Sequence, residues 1–215
     1  MKVAIVVPCF NEAASLPELL VSVLRIIGPN DFLLFVDDGS TDDTIVCLFH
    51  FRWRRPDRIE IISDGRNEGQ QAALLKGLLA VRGKCDCAIT MDADGQHDPG
   101  AIPDFLEKYR EGADIVYGVR RRNLSPASRL FYRLMGKSLI PNHADYRLIS
   151  AKVLDTLTPN SEPFLRGLFA NTTFKTATVE YDEQPRIAGR STYTFRKRLA
   201  LFASALRWYF RLTFG

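Results

Sequence analysis

A chain of 215 residues is long enough for one sizeable α/β domain with its own core, and short for two. Its 46% hydrophobic and 25% charged residues exclude an extended disordered chain. The net charge of +4 divides unevenly: residues 1–114 carry 12 Lys+Arg against 19 Asp+Glu, and residues 115–215 carry 17 against 6.

In chain order, continuous apolar runs predict buried strands at Val3–Pro8, Phe32–Asp37, Arg58–Ser63, Cys87–Asp92 and Ala113–Tyr117. Helical patterns fall between them, at Ser15–Ile26, Thr41–Phe51, Gln70–Val81 and Pro99–Arg110. Pro99 near a helix start and Gly28 just past a helix end are the expected punctuation. This alternation predicts an α/β fold with a mostly parallel central sheet and helices on both faces. Ligands of such sheets bind beyond the carboxyl ends of the strands, so those ends are the places to search for chemistry.

The first strand ends in Pro8-Cys9-Phe10-Asn11-Glu12, and the second in Asp37-Asp38-Gly39-Ser40-Thr41-Asp42. The third leads into Asp64-Gly65-Arg66-Asn67-Glu68-Gly69. The fourth empties into Asp92-Ala93-Asp94-Gly95-Gln96. Two carboxylates two residues apart at the mouth of a sheet supply hard oxygen ligands where a divalent cation and a phosphorylated ligand can meet. Asp37 or Asp38 can accept hydrogen bonds from a base N–H or from ribose hydroxyls. Both acidic stretches also fit plain turns, with Ser40 or Thr41 capping the next helix. No Gly-x-Gly-x-x-Gly follows the first strand and no Gly-Lys-Ser/Thr loop occurs, which disfavours dinucleotide and P-loop sites.

Taken together, Val6–Glu12, Val36–Asp42, Arg66–Gln70 and Met91–Pro99 closely resemble the inverting family 2 glycosyltransferases, which have the GT-A nucleotide-sugar-binding fold. The resemblance continues through Ile115–Arg120, Ser128–Leu134, Asp145–Leu148, Phe164–Leu168 and Arg186–Ser191. That later set is similar to the branch of dolichol-phosphate mannose synthase and bacterial undecaprenyl-phosphate glycosyltransferases. It implies a nucleoside diphosphate sugar as donor, polyprenyl phosphate as acceptor and Mg2+ or Mn2+ as cofactor. It further implies that Pro8, Asn11, Glu12, Asp37, Asp38, Arg66, Asn67 and Gln70 lie around the donor. Asp92, Asp94 and Gln96 match the metal-holding positions, and Arg120, Arg129 and Arg186 match arginines that gather phosphates. The stretches from Arg122 to Phe131 and from Lys137 to Asn142 are short beside the usual pattern, as a trimmed acceptor-side loop would be.

The residue types agree with that chemistry. Glycosyl transfer builds charge on the departing diphosphate, which a bridging hard cation stabilises. A lipid phosphate is already anionic and is its own nucleophile, so it needs counter-charge and alignment more than a base. Arginine forks meet phosphate oxygens bidentately, and the basic second half is rich in them. Asp145 is the candidate base if one acts, and a structural ion pair within Asp145-Tyr146-Arg147 is its alternative. A hydroxyl acceptor, or a degenerate module that binds nucleotide sugar or anionic lipid without turnover, are the other readings.

Residues 196–215 read as a basic amphipathic helix, with Leu199, Phe202, Leu206 and Tyr209 recurring at helical spacing behind Arg196-Lys197-Arg198. Such a helix can lie among lipid headgroups, pack on the sheet or join two copies in a homo-oligomer. Its apolar run is far shorter than the ~20 residues needed to span a bilayer, although many relatives in this branch continue into two transmembrane helices near this point. The expected organisation is a catalytic domain over 1–195, divided into a nucleotide-sugar half (1–119) and an acceptor half (120–195), followed by the helix. Cys9, Cys47, Cys85 and Cys87 form no CxxC pair and read as buried reduced thiols. With no signal peptide pattern at Met1–Pro8, the expected location is cytoplasmic, peripheral on the inner face of the membrane. The basic residues form no nucleic-acid recognition module, so no nucleic-acid partner is expected.

Overall fold

The computed structural model describes residues 1–121, 143–159 and 173–187. Arg129 and the expected helix over 196–215 lie outside the described residues, as does the 195/196 division, while the 119/120 division falls inside a strand. The described elements are β1 (Val3–Cys9), α1 (Leu16–Leu24), β2 (Phe32–Asp37), α2 (Thr44–Arg54), β3 (Ile59–Ser63), α3 (Gln70–Val81) and β4 (Cys87–Thr90). A 3-10 turn (Pro99–Ala101) then leads into α4 (Ile102–Arg110), followed by β5 (Ile115–Arg120), β6 (His143–Ser150), α5 (Ala151–Leu154) and β7 (Thr176–Tyr181). Seven strands form one sheet in the order β3-β2-β1-β4-β6-β5-β7. All neighbours are parallel except β6, which runs antiparallel between β4 and β5.

The period-2 geometry of β1 divides the core between two layers. Val3, Ile5, Val7 and Cys9 pack with Leu16, Leu19 and Val23 of α1, Leu48 of α2 and Phe105 of α4. Ala4 and Val6 face the other way, onto Ala73, Leu74 and Leu78 of α3 and Val153 of α5. Buried on both faces, the central strands read as unbroken apolar runs, as parallel strands do. Gly77 allows α3 its close approach: a Cβ there would meet Val6 Cγ1 at 2.4 Å and Val36 Cγ2 at 2.9 Å.

The predicted ends of β2 and α3 coincide with those observed, and other boundaries move for local reasons. β4 stops at Thr90 rather than Asp92, because the Asp92 N–H leaves the ladder to donate to His97 Nδ1 at 3.0 Å. α2 begins at Thr44 rather than Thr41, because the Thr41 N–H donates to Asn11 Oδ1 at 2.8 Å. Both departures place polar side chains at the carboxyl edge of the sheet.

Candidate functional site

The carboxyl edge is built from four loops: those after β1, β2 and β3 are bound to one another by side-chain to backbone hydrogen bonds, and the one after β4 is tied in by a side chain of α3. Asn11, just beyond β1, has φ +58, a left-handed conformation that asparagine tolerates better than most residues. There its Oδ1 accepts from Thr41 N, and its own N–H donates to Ser40 Oγ at 2.9 Å. Glu12 N donates to Thr44 Oγ1 at 2.8 Å, and Ser15 Oγ donates to Glu12 Oε2 at 2.7 Å. Pro8 is buried in β1, opposite Val36 of β2.

The adjacent carboxylates at the end of β2 have different partners. Asp37 accepts from Ser40 N at 3.2 Å and from Ser63 Oγ at 2.9 Å, the latter on neighbouring β3. Asp38 accepts from the backbone N–H groups of Glu68 and Gly69 at 2.8 and 2.9 Å, and so grips the loop before α3. Arg66 and Asn67 are exposed on that loop.

At the mouth of β4, Asp92 Oδ1 accepts from Gln70 Nε2 at 2.6 Å. His97 is fully buried, stacks on Tyr146 with ring centroids 4.9 Å apart, and brings Nε2 to 3.6 Å from Asp92 Oδ2. Asp94 is 7% exposed; its Oδ1 accepts from Gln96 N at 3.0 Å and its Oδ2 meets Arg186 Nη2 at 2.8 Å. The strap after β7 crosses this loop, with Gln184 N donating to Gln96 O at 3.1 Å and Ile187 N donating to Asp94 O at 3.2 Å. Ile187 rests on Gly95, where φ is +79 and a Cβ would lie 2.3 Å from Ile187 Cδ1. The Gln96 amide bridges two charges of this strap, accepting from Arg186 Nη2 and donating to Glu183 Oε1, both at 3.3 Å.

Arg120, the last residue of β5, reaches Glu183 Oε1 and donates to the Tyr181 hydroxyl, each at 3.3 Å. Burial opposes its charge, but Tyr181, Glu183 and Asp92 outweigh it and raise the Arg120 pKa. Burial first, then Asp92 and Glu183, push Tyr181 up to about 12, against the lowering effect of Arg120. Glu12 is raised chiefly by burial, with Asp94 and Asp42 adding to the shift and Ser15 and Arg186 opposing it. Carboxylates and guanidinium groups from the loops after β1 and β4, the end of β5 and the strap after β7 therefore lie close together at the carboxyl edge of the sheet.

Asp145 lies beside this edge, because β6 runs antiparallel to β4 and Thr90 Oγ1 donates to Asp145 O at 2.7 Å, but its carboxylate is turned to other partners. It is 3% exposed, its Oδ1 is 2.5 Å from Arg147 Nη2 and its Oδ2 accepts from Gln71 Nε2 at 2.9 Å. Arg147 is itself 1% exposed, so the pair is enclosed. Glu183, Tyr181 and Gln71 were not singled out from the sequence, and their partners lie 61 to 87 residues away; the ion pair within Asp145-Tyr146-Arg147, given as the alternative to a base, is the one that forms. The alternating pattern Thr176-Ala177-Thr178-Val179-Glu180-Tyr181 was a legible strand signal that would have placed Glu183 just past a strand end.

Among the described residues no group of three or more metal-ligating side chains occurs. The carboxylates of Asp92 and Asp94 are hard oxygen donors of the kind that would hold a Mg2+ or Mn2+ ion. Asp94 already holds a cation, the Arg186 guanidinium, so the site draws positive charge.

A mixed sheet opening onto charged loops at the carboxyl ends of β1, β2 and β4 defines the class: an α/β protein with the GT-A type of fold. Residues 4–169 match Glycosyl transferase family 2, and the chain belongs to that family. It is 38% identical to the uncharacterized glycosyltransferase YkoT of Bacillus subtilis, over 91% of this chain and 64% of that one. It is 31% identical to the undecaprenyl-phosphate 4-deoxy-4-formamido-L-arabinose transferase of an Enterobacter species, over 93% of this chain and 65% of that one. The chain thus spans just under two thirds of the length of these relatives. Its fold is shared with glucosyl-3-phosphoglycerate synthase of Mycobacterium tuberculosis, solved in complex with Mn2+, UDP-glucose and phosphoglyceric acid. That likeness has a TM-score of 0.65 at 17% identity, over 97% of this chain and 79% of the other.

Proposed function

We propose that this chain carries out metal-dependent, inverting transfer of a hexose-type sugar from a UDP- or GDP-linked donor to polyprenyl phosphate, at the cytoplasmic face of the membrane. The observation that carries the reading is the convergence of Asp92 and Asp94 with Arg120 and Arg186 on one edge of a family 2 fold. The Enterobacter relative, named for undecaprenyl phosphate, supports the acceptor class, and the Mn2+ and UDP-glucose of the mycobacterial neighbour support the donor and cofactor.

In this reading Pro8, Asn11, Glu12 and Asp37 border the nucleoside, with Arg66 and Asn67 on the exposed loop beside it. Asp92, Asp94 and Gln96 hold the divalent ion, which when bound neutralises charge on the departing diphosphate. Gln70 fixes the rotamer of Asp92 by donating to one of its oxygens. Arg186, now on Asp94, and Arg120, now on Glu183, are the cations within reach of the phosphates, and Arg129 would join them. Contact with the membrane is assigned to residues 196–215. Among the described residues no helix is long and apolar enough to cross a membrane.

The enclosed Asp145–Arg147 pair supports an acceptor that needs no protein base, since a phosphate oxygen attacks without losing a proton. A hydroxyl acceptor would instead require a base such as Asp145, whose two oxygens are both engaged. Calorimetric titration with UDP and GDP in Mn2+ tests the donor half of this reading. Binding by the wild type that is lost in Asp92→Asn/Asp94→Asn supports it, and equal binding by that double variant removes the metal-based site.

A further inference from the structure

Asp38 lies beside Asp37 at the end of β2, yet the two carboxylates face different tasks. Asp38 is 7% exposed, and each of its oxygens accepts a backbone N–H, from Glu68 at 2.8 Å and from Gly69 at 2.9 Å. Its own N–H donates to Cys9 O of β1 at 2.8 Å. The turn that carries it is pressed onto the same loop: a Cβ on Gly39 would stand 2.8 Å from the Arg66 carbonyl carbon and 2.9 Å from Asn67 N. Gly69, with φ +94, is the residue from which α3 starts.

The first two residues of α3 are Gln70 and Gln71, and each donates its side-chain amide to a carboxylate at the carboxyl edge of the sheet. Gln70 Nε2 reaches Asp92 Oδ1 at 2.6 Å, and Gln71 Nε2 reaches Asp145 Oδ2 at 2.9 Å. A continuous path therefore runs from Asp38 through the Glu68 and Gly69 peptides and the first turn of α3 to Asp92. Amide donors that must sit within a few tenths of an ångström of a carboxylate need a helix start held to that tolerance.

We propose that Asp38 is a positioning residue for the transfer site: it does not touch the donor, but sets the start of α3 so that Gln70 orients Asp92 and Gln71 holds Asp145. The inference rests on the reading of Asp92 as a ligand of the donor-bound metal. It separates the Asp37-Asp38 pair into one carboxylate beside the nucleoside and one that acts through the backbone.

The test uses full-length Asp38→Asn, Gln70→Ala and the double variant, with Gly69→Ala as an independent disturbance of the same helix start. At φ +94 a β-carbon is strained even where space is open, so Gly69→Ala shifts α3 without altering Asp38. Hydrogen exchange on the unliganded protein is expected to quicken at least tenfold at the amides of Glu68 and Gly69 in Asp38→Asn, with β1 unchanged. Unchanged exchange at those amides would overturn the pin, whether or not any nucleotide binds. Titration with Mn2+ and UDP or GDP is then expected to show about tenfold weaker binding in each single variant, and no further loss in the double variant. Losses that multiply in the double variant, or Gly69→Ala binding like wild type, would overturn the path through α3. Wild type that binds neither nucleotide would instead overturn the proposed function, while the exchange result still decides the pin.

Discussion

Arg186 Nη2 stands 2.8 Å from Asp94 Oδ2, so the strap after β7 sets a protein cation against the carboxylate that the proposed function assigns to a metal. The Arg186 side chain is 27% exposed and that of Asp94 10%, which places the pair between a surface and a buried salt bridge. Its loss is expected to cost about 1 kcal/mol in the metal-free protein. Arg186→Ala also removes a competitor for Asp94, so Mn2+ without nucleotide should raise the Tm of the variant more than that of the wild type. Equal shifts would mean that Arg186 and the ion do not share Asp94.

Asp145→Asn separates a base from an ion pair. Removing the charge breaks the buried Asp145–Arg147 pair, and a broken buried pair costs about 3–5 kcal/mol. The expected result is a large loss of stability in chemical denaturation. A variant of native stability that binds donor yet transfers nothing would assign Asp145 to proton transfer and favour a hydroxyl acceptor.

Glu12 gives a pH dependence whose sign is fixed by its environment. Burial first, with Asp94 and Asp42, raises its folded pKa above the unfolded value. Its contribution to stability is therefore fully present below the unfolded carboxyl pKa, about 4.3, and is lost as pH rises through the folded value. Glu12→Gln, which keeps an oxygen to accept from Ser15 Oγ, should be more stable than wild type at pH 7 and converge with it near pH 4. A variant less stable at both pH values would contradict this account. With Glu12 beside the donor, as proposed, the gain comes with weaker donor binding.

Gly77→Ala tests the seat of α3 on the sheet. The added methyl would meet Val6 and Val36 at 2.4 and 2.9 Å, which outweighs the gain in helix propensity. A net loss of about 1–2 kcal/mol is expected from denaturant midpoints, together with weaker Mn2+-dependent nucleotide binding because α3 carries Gln70.

The first half of the fold was legible because its strands are buried on both faces and its helices carry their own punctuation. Phe32–Asp37 and Gln70–Val81 are read to the residue. β6 was not read, because Asp145 and Arg147 make His143–Ser150 look too polar for a buried strand until their pairing is known. β7 was missed for the opposite reason: it is half-exposed and at the sheet edge, where alternation is the only signal. The acidic motifs fixed where the candidate site lies, but not who holds whom. Gln71 and Asp145 are 74 residues apart, and Gln96 and Glu183 are 87 apart; no local pattern encodes such contacts.

The central claim is tested most directly by transfer of labelled sugar from a panel of UDP- and GDP-sugars into extractable polyprenyl phosphate, with Mn2+ or Mg2+ and with EDTA. The account predicts a labelled lipid from one donor class that disappears with EDTA and in Asp92→Asn/Asp94→Asn. A lipid product of equal yield in EDTA, or label passing only to a hydroxyl acceptor, would contradict it.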